Sequence, residues 1–233
     1  MNSVSPSIKD VTTLLREPDR LKALNQLELL DTPADEAFDR LTQLASKILD
    51  TPVSLVSLVD ADRQFFKSFF GLSEPWASKR ETPLSHSFCQ YVVATNQPLI
   101  VTDARHDPVL KDNLAVSELF VISYLGMPLT LTNGVTIGSF CVIDNVPRVW
   151  EKREIEIVRE LAQSVMTEIE LRVALRTYEK AAETQVNAHH QHVTQLTESW
   201  QSAIQSVIDM VQVGGDKTQQ LEYLKQVQNQ LKA

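Results

Sequence analysis

Residues 122–144, ISYLGMPLTLTNGVTIGSFCVID, decide the fold. Two apolar runs, 122–131 and 135–143, flank the Thr132-Asn133-Gly134 step. An Asn-Gly pair supplies the positive φ angles of a tight turn, so the stretch reads as two antiparallel strands. Upstream, residues 53–59 and 63–70 repeat the arrangement around Asp60-Ala61-Asp62, which predicts a second hairpin. Within it, alternation sets Gln64 and Phe66 on one face and Arg63, Phe65 and Lys67 on the other, a half-buried strand with solvated cations. Between the hairpins the sequence predicts a short helix at 86–95, a strand at 98–102 and the loop DARHDP at 103–108.

Helical spacing brackets this β-rich middle. Leu14, Leu15, Leu21, Leu24 and Leu27 recur at helical intervals around Pro18, which suits an early helix position. Phe38, Leu41, Leu44, Ala45, Ile48 and Leu49 make one apolar stripe between Asp31-Thr32-Pro33 and Asp50-Thr51-Pro52. Residues 151–213 contain no proline or glycine and read as one long helix. Hairpin-joined strands imply an antiparallel sheet, hence an α+β fold. Helices from both chain ends are expected on one face, and the segments of residues 71–120 on the other, over a shallow pocket for a small ligand.

Composition narrows the function. Thirty acidic against 22 basic residues leave a formal charge of -8, a field that repels nucleic acid and anionic lipid. Neither is expected as a partner. Two cysteines 52 positions apart make no disulfide framework and no four-ligand zinc site, which fits a reducing cytoplasm. No apolar run reaches the roughly 18 residues of a membrane helix, and the start MNSVSPSIKD lacks the order of a signal peptide.

The body resembles a GAF domain of bacterial signalling proteins. The likeness is carried by residues 19–45 (DRLKALNQLELLDTPADEAFDRLTQLA), 56–72 (VSLVDADRQFFKSFFGL), 81–93 (ETPLSHSFCQYVV), 98–108 (PLIVTDARHDP) and 124–148 (YLGMPLTLTNGVTIGSFCVIDNVPR). The resemblance implies a six-stranded antiparallel sheet with helices on one face and a ligand side on the other. It also implies a role in sensing or dimerisation rather than catalysis, in the branch placed upstream of sensor kinases and cyclic-dinucleotide enzymes. Residues 1–18 become a helical lead, 19–172 the GAF domain and 173–233 a helical extension. Tetrapyrrole-binding members carry a cysteine, usually followed by histidine, before the penultimate core strand. The matching KDNLAVSELF (111–120) has neither, so no bilin or other cofactor is expected. The signature of cyclic-nucleotide-binding members is also absent after the last hairpin, where FCVIDNVPR stands.

The candidate pocket residues are Phe88, Cys89, Asp103, Tyr124 and Cys141. Cysteine in such settings is a small hydrophobe unless a base or cation activates it, and His86 lies one helical turn before Cys89. That pair is the alternative reading, a thiol enzyme or redox sensor. A scaffold whose pocket is filled by Phe88 and Tyr124 is another. Asp103 and Asp107 bracket Arg105 and His106 and suit Asx turns better than acid-base work. His189, His190 and His192 are read as a polar helical patch rather than a metal site.

In the extension, Leu171, Leu175, Tyr178 and Ala182 keep a heptad alternation. Val186, His189, Val193, Leu196, Trp200, Ala203, Val207 and Met210 resume it after one extra step of four, a stutter. A helix of sixty residues would run roughly 90 Å, so it needs a partner or a bend. Gly214 and Gly215 are expected to end it before a last helix with Leu221, Leu224, Val227 and Leu231. Leu171, Leu175, Tyr178, Val193, Leu196, Trp200 and Val207 are the expected seam of a homodimer or partner helix, ideally a four-helix bundle.

Overall fold

In the computed structural model, which describes residues 8–212 and 216–230, β1 (Val53–Val59) turns into β2 (Arg63–Phe70). The turn is closed by Asp60, whose amide donates to the Arg63 carbonyl at 2.8 Å while its carboxylate accepts from the Ala61 amide at 2.8 Å. Four further strands follow: β3 (Glu81–Pro83), β4 (Leu99–Val101), β5 (Ser123–Thr130) and β6 (Thr136–Asp144). They form one antiparallel sheet in the order β3-β2-β1-β6-β5-β4. The two hairpins thus meet along β1 and β6, the pair most deeply enclosed. The α+β fold with six strands is the one expected.

The β5–β6 turn departs from the tight form. Only Gly134 has positive φ, 85°, and the Gly134 amide donates to the Leu131 carbonyl at 2.8 Å. Asn133 instead uses its side-chain oxygen to accept from the Val135 amide at 3.1 Å. The loop is therefore longer, with a register shift at Leu129/Thr130 to accommodate it.

Helices cover both faces. On one side α2 (Pro18–Gln26), α3 (Glu36–Leu49) and the start of α7 (Lys152–Gln212) enclose Leu24, Phe38, Ala45, Val158, Val165 and Ile169 against Val56, Leu58, Phe65 and Leu129. On the other lie α1 (Ile8–Leu15), α5 (Cys89–Thr95), α6 (Leu114–Glu118) and two single 3-10 turns, packed on Leu55, Val59, Phe66 and Tyr124. A short α4 (Trp76–Lys79) precedes β3. Here α1 corrects the expectation that all terminal helices share a face, since Val11 and Leu15 are buried with α5. An amphipathic stripe states that a helix will be covered, not which layer covers it. Arg20 fixes the crossing: its buried guanidinium donates to the Leu15 carbonyl and to the Val59 carbonyl at 2.7 Å.

Lys67 is a second correction. It is 3% exposed, not solvated: it keeps the face that alternation gives it with Phe65, but α3 and the segment before it cover that face. The β1–β2 register slips between Val56 and Ser57, leaving one extra residue in β2, and this bulge turns Ser68 to the same side as Lys67. Lys67 Nζ donates to the Thr32 hydroxyl at 2.8 Å and the Pro33 carbonyl at 3.0 Å, and Ser68 donates to Asp39 at 2.6 Å.

The chain divides into two units, the first through Val173 and the second from Ala174. In the second unit, the remainder of α7 and α8 (Lys217–Gln230) expose Leu175, Tyr178, Val186, Val193, Leu196, Trp200, Ile204, Ile208, Leu221 and Leu224, while Ala203 and Val207 are half-buried. The helix end expected at residues 213–215 and the apolar position Leu231 lie outside the described residues, as do the side chains of Met210 and Val227. No helix of the described residues is long and apolar enough to cross a membrane.

Candidate functional site

Alternation along β1 and β2 turns Val53, Leu55, Gln64 and Phe66 to the α5–α6 side, where they wall a cavity with Phe88, Cys89, Ala115, Leu119, Val121, Tyr124 and Ile143. Its volume is about 30 Å³, room for a water or two. The lining is apolar apart from Gln64, His86, the Cys89 thiol and the Tyr124 hydroxyl. Phe88 and Tyr124 meet edge-on with ring centroids 5.5 Å apart, so the aromatic pair fills much of the space between α5 and the sheet.

Tyr124 is aimed by its neighbour two residues on. A Cβ at Gly126 would overlap the Tyr124 hydroxyl and ring, so glycine is what lets the ring lie flat along β5. The hydroxyl thereby reaches Cys89 Sγ, to which it donates at 3.3 Å, and pairs with Ser139 at 3.2 Å. Behind Cys89 lies Cys141, the two sulfurs 3.9 Å apart and both thiols free and buried. Hydrogen bonding holds the Cys89 thiol below its usual value, Cys141 contributing most and Tyr124, Ser57 and Ser139 adding to it against the opposing effect of burial. Burial pushes Cys141 and Tyr124 well up.

A separate polar net holds Gln64. Its amide nitrogen donates to Thr82 at 2.7 Å, and its oxygen accepts from Ser87 at 2.7 Å and Ser57 at 3.2 Å. His86 is buried, but both ring nitrogens are engaged elsewhere: Nδ1 with Ser85 and Nε2 with Glu118, each at 3.0 Å. The turn expected to run as one helix from 86 breaks at Ser87, and α5 begins only at Cys89. His86 therefore faces α6, not the thiol.

Phe88, Cys89 and Tyr124 come together at the cavity, and Cys141 stands directly behind them. Asp103 does not join them. It caps a 3-10 turn, accepting from the Arg105 amide at 3.1 Å and pairing with the Arg105 guanidinium at 2.7 Å, which holds its carboxyl well below the usual range. Asp107 likewise accepts from the Val109 and Leu110 amides. Sequence reading missed Gln64, Phe66, Ala115 and Leu119 as lining residues, although the β2 alternation already paired the first two on one face. Among the described residues no group of three or more His, Cys, Asp or Glu could hold a metal ion.

The GAF domain profile matches residues 33–169. The chain belongs to the GAF domain family. A solved GAF domain from the Acinetobacter phosphoenolpyruvate-protein phosphotransferase shares the fold, at 15% identity and TM-score 0.50 over 74% of this chain and 99% of that one. The cyclic di-GMP phosphodiesterase PA2567 of Pseudomonas aeruginosa is 36% identical over 155 residues, 66% of this chain. This GAF chain spans 26% of that protein's length. The expectation that the chain is not an enzyme is corrected by this match, because the relative is named for catalysis.

Proposed function

We propose that this chain is the sensory part of a cyclic di-GMP phosphodiesterase system, its GAF body reading a small, largely apolar molecule and its helical unit joining a second copy. The observation that carries the reading is the small apolar cavity under α6, in a chain 36% identical over 155 residues to the Pseudomonas aeruginosa phosphodiesterase. Two features support α6 as the movable cover. It is a helix of only five residues, and it is followed by Phe120 with φ 54°. A bulky side chain in that region costs roughly 1–2 kcal/mol, a cost that opening of the segment would release. The lining is apolar apart from Gln64, His86, the Cys89 thiol and the Tyr124 hydroxyl, and Gln64 and His86 already have protein partners, so the favoured ligand is small and largely apolar.

In the second unit, an exposed apolar ridge along Val193, Leu196, Trp200, Ile204 and Ile208 supports pairing with a second copy. Leu171, Leu175 and Tyr178 are further exposed apolar positions earlier along α7, and Val207 flanks the ridge.

Native mass spectrometry of the full chain from its own cells tests the sensory reading, with Ala115→Leu as the cavity-filled control. A bound small molecule in the wild type and none in Ala115→Leu is the expected result. Identical bare masses for both would overturn it.

A further inference from the structure

We infer that Cys89 and Cys141 form a reactive thiol pair that a small hydroperoxide entering the cavity converts into an intramolecular disulfide. Position separates the two roles. Cys89 lines the cavity and Cys141 does not, yet the sulfurs are only 3.9 Å apart. A reagent in the cavity meets Cys89 first, and the second thiol is already in place behind it.

The surroundings of Cys89 distinguish it from a packing cysteine. A buried thiol that only fills space needs apolar neighbours, and alanine or valine would serve as well. Here the Tyr124 hydroxyl donates to the Cys89 sulfur at 3.3 Å, itself backed by Ser139 at 3.2 Å, and the Cys141 thiol lies 3.9 Å from the same sulfur. Such donors satisfy a thiolate, the nucleophilic form, far better than a neutral thiol. The lowered value at Cys89 and the raised one at Cys141 agree with that division. This activation differs from the expected His86–Cys89 couple, since the imidazole is held by Ser85 and Glu118.

Cavity size sets the substrate class. About 30 Å³ admits hydrogen peroxide and excludes bulky organic hydroperoxides. The Cys89 thiolate attacks one peroxide oxygen: an S–O bond forms, the O–O bond breaks, and hydroxide leaves to take up the proton that Cys89 gave up, as water. Cys89 is now a sulfenic acid. The Cys141 sulfur then attacks Cys89 Sγ, the S–S bond forms, the S–O bond breaks, and a second water leaves carrying the Cys141 proton. Two thiols are oxidised by two electrons, and one peroxide is reduced to two waters. Closure needs the sulfurs, 3.9 Å apart, to approach by about 2 Å to the usual S–S length.

Full-length reduced chain is exposed to hydrogen peroxide, denatured, alkylated and weighed. The wild type should lose two hydrogens, resist alkylation at both cysteines and yield a tryptic cross-link between them. In Cys141→Ser, dimedone should trap a sulfenic acid at Cys89, whereas in Cys89→Ser the remaining Cys141 should stay unmodified. Oxidation of the folded chain should outpace that of the urea-unfolded chain, and tert-butyl hydroperoxide should react several-fold more slowly than hydrogen peroxide. Full alkylation of both cysteines after peroxide, reaction only in the unfolded chain, or Cys141 reacting without Cys89 would each overturn the inference. The readout is covalent, so it stands or falls independently of whether a ligand copurifies.

Discussion

Arg172 grips both carboxylate oxygens of Asp35, the residue that caps α3, one position before the first unit ends at Val173. The same guanidinium stacks over the Phe38 ring at 4.8 Å and pairs with Glu168 at 2.7 Å. Lys67 stands over the same ring at 5.7 Å. Strand β2 therefore touches both systems: Gln64 and Phe66 wall the cavity, and Lys67 shares Phe38 with the helix that carries Arg172.

The Arg172 hydrogen bond holds the Asp35 carboxyl below its usual value. A depressed carboxylate contributes stability that is present above its unfolded value of about 3.9 and is lost as pH falls through the lower folded one. Asp35→Asn keeps the capping oxygen but not the charge. It should cost about 1 kcal/mol at pH 6, allowing for solvent screening of a partly exposed pair, with the gap to wild type narrowing below pH 4. Urea denaturation at pH 6 and pH 3 checks this. A gap equally wide at both would assign the loss to something other than the charge.

Gly126→Ala should destabilise the body by about 1–3 kcal/mol, since the added methyl overlaps the buried Tyr124 ring and hydroxyl. The clash has a specific signature. Removing the hydroxyl first, with Tyr124→Phe, should reduce the cost of the alanine, a coupling that a double-mutant cycle in urea resolves. Additive losses would mean that backbone rather than Tyr124 yields.

Much of the architecture was legible because it rests on local rules. The alternation of residues 53–70 and 122–143 gave both hairpins, and the proline- and glycine-free run after residue 151 gave α7. What alternation cannot show is a bulge, since one extra residue reverses the parity beyond it. Ser68 falls on the α3 side for that reason, whereas Lys67 keeps the face expected of it, and what was missed is its burial under α3 and with it the link from β2 to Phe38. The site was legible as residue types, with Cys89, Tyr124 and Cys141 all named, but not as a geometry. Two thiols 52 positions apart become neighbours only when α5 folds onto β6. His86 shows the converse: helical spacing to Cys89 implied a contact that the break at Ser87 redirects toward Glu118. Asp103 was drawn in by its place after a strand, yet its carboxylate serves its own turn.

Arg20→Met should cost about 2–4 kcal/mol, more than its few contacts would imply, because it leaves the buried Leu15 and Val59 carbonyls without their donor. Burial already lowers the arginine's proton affinity, but its hydrogen bonds hold the end of α1 against β1. The expected local sign is earlier tryptic cleavage at Arg16 under native conditions, ahead of global unfolding. Cleavage at Arg16 unchanged from wild type would show that α1 is held by Val11 and Leu15 alone.

Trp200→Glu tests the helical unit without touching the body. Val193, Leu196, Trp200, Ile204 and Ile208 follow one another at intervals of three and four, and each is 41–53% exposed in the single chain. Such a ridge lies in water only at a cost of about 25 cal/mol for each Å² of apolar surface, which a second copy removes by covering it. A carboxylate at the central position would be buried unpaired in that seam, a larger penalty than loss of the indole alone. Light scattering should show a dimer for the wild type and a monomer for Trp200→Glu. Thermal unfolding of the body should stay within a degree or two, since Trp200 lies in the second unit. Trp200→Leu, which keeps the seam apolar, should remain dimeric. A monomeric wild type would remove the pairing, and a dimeric Trp200→Glu would move the seam away from this ridge.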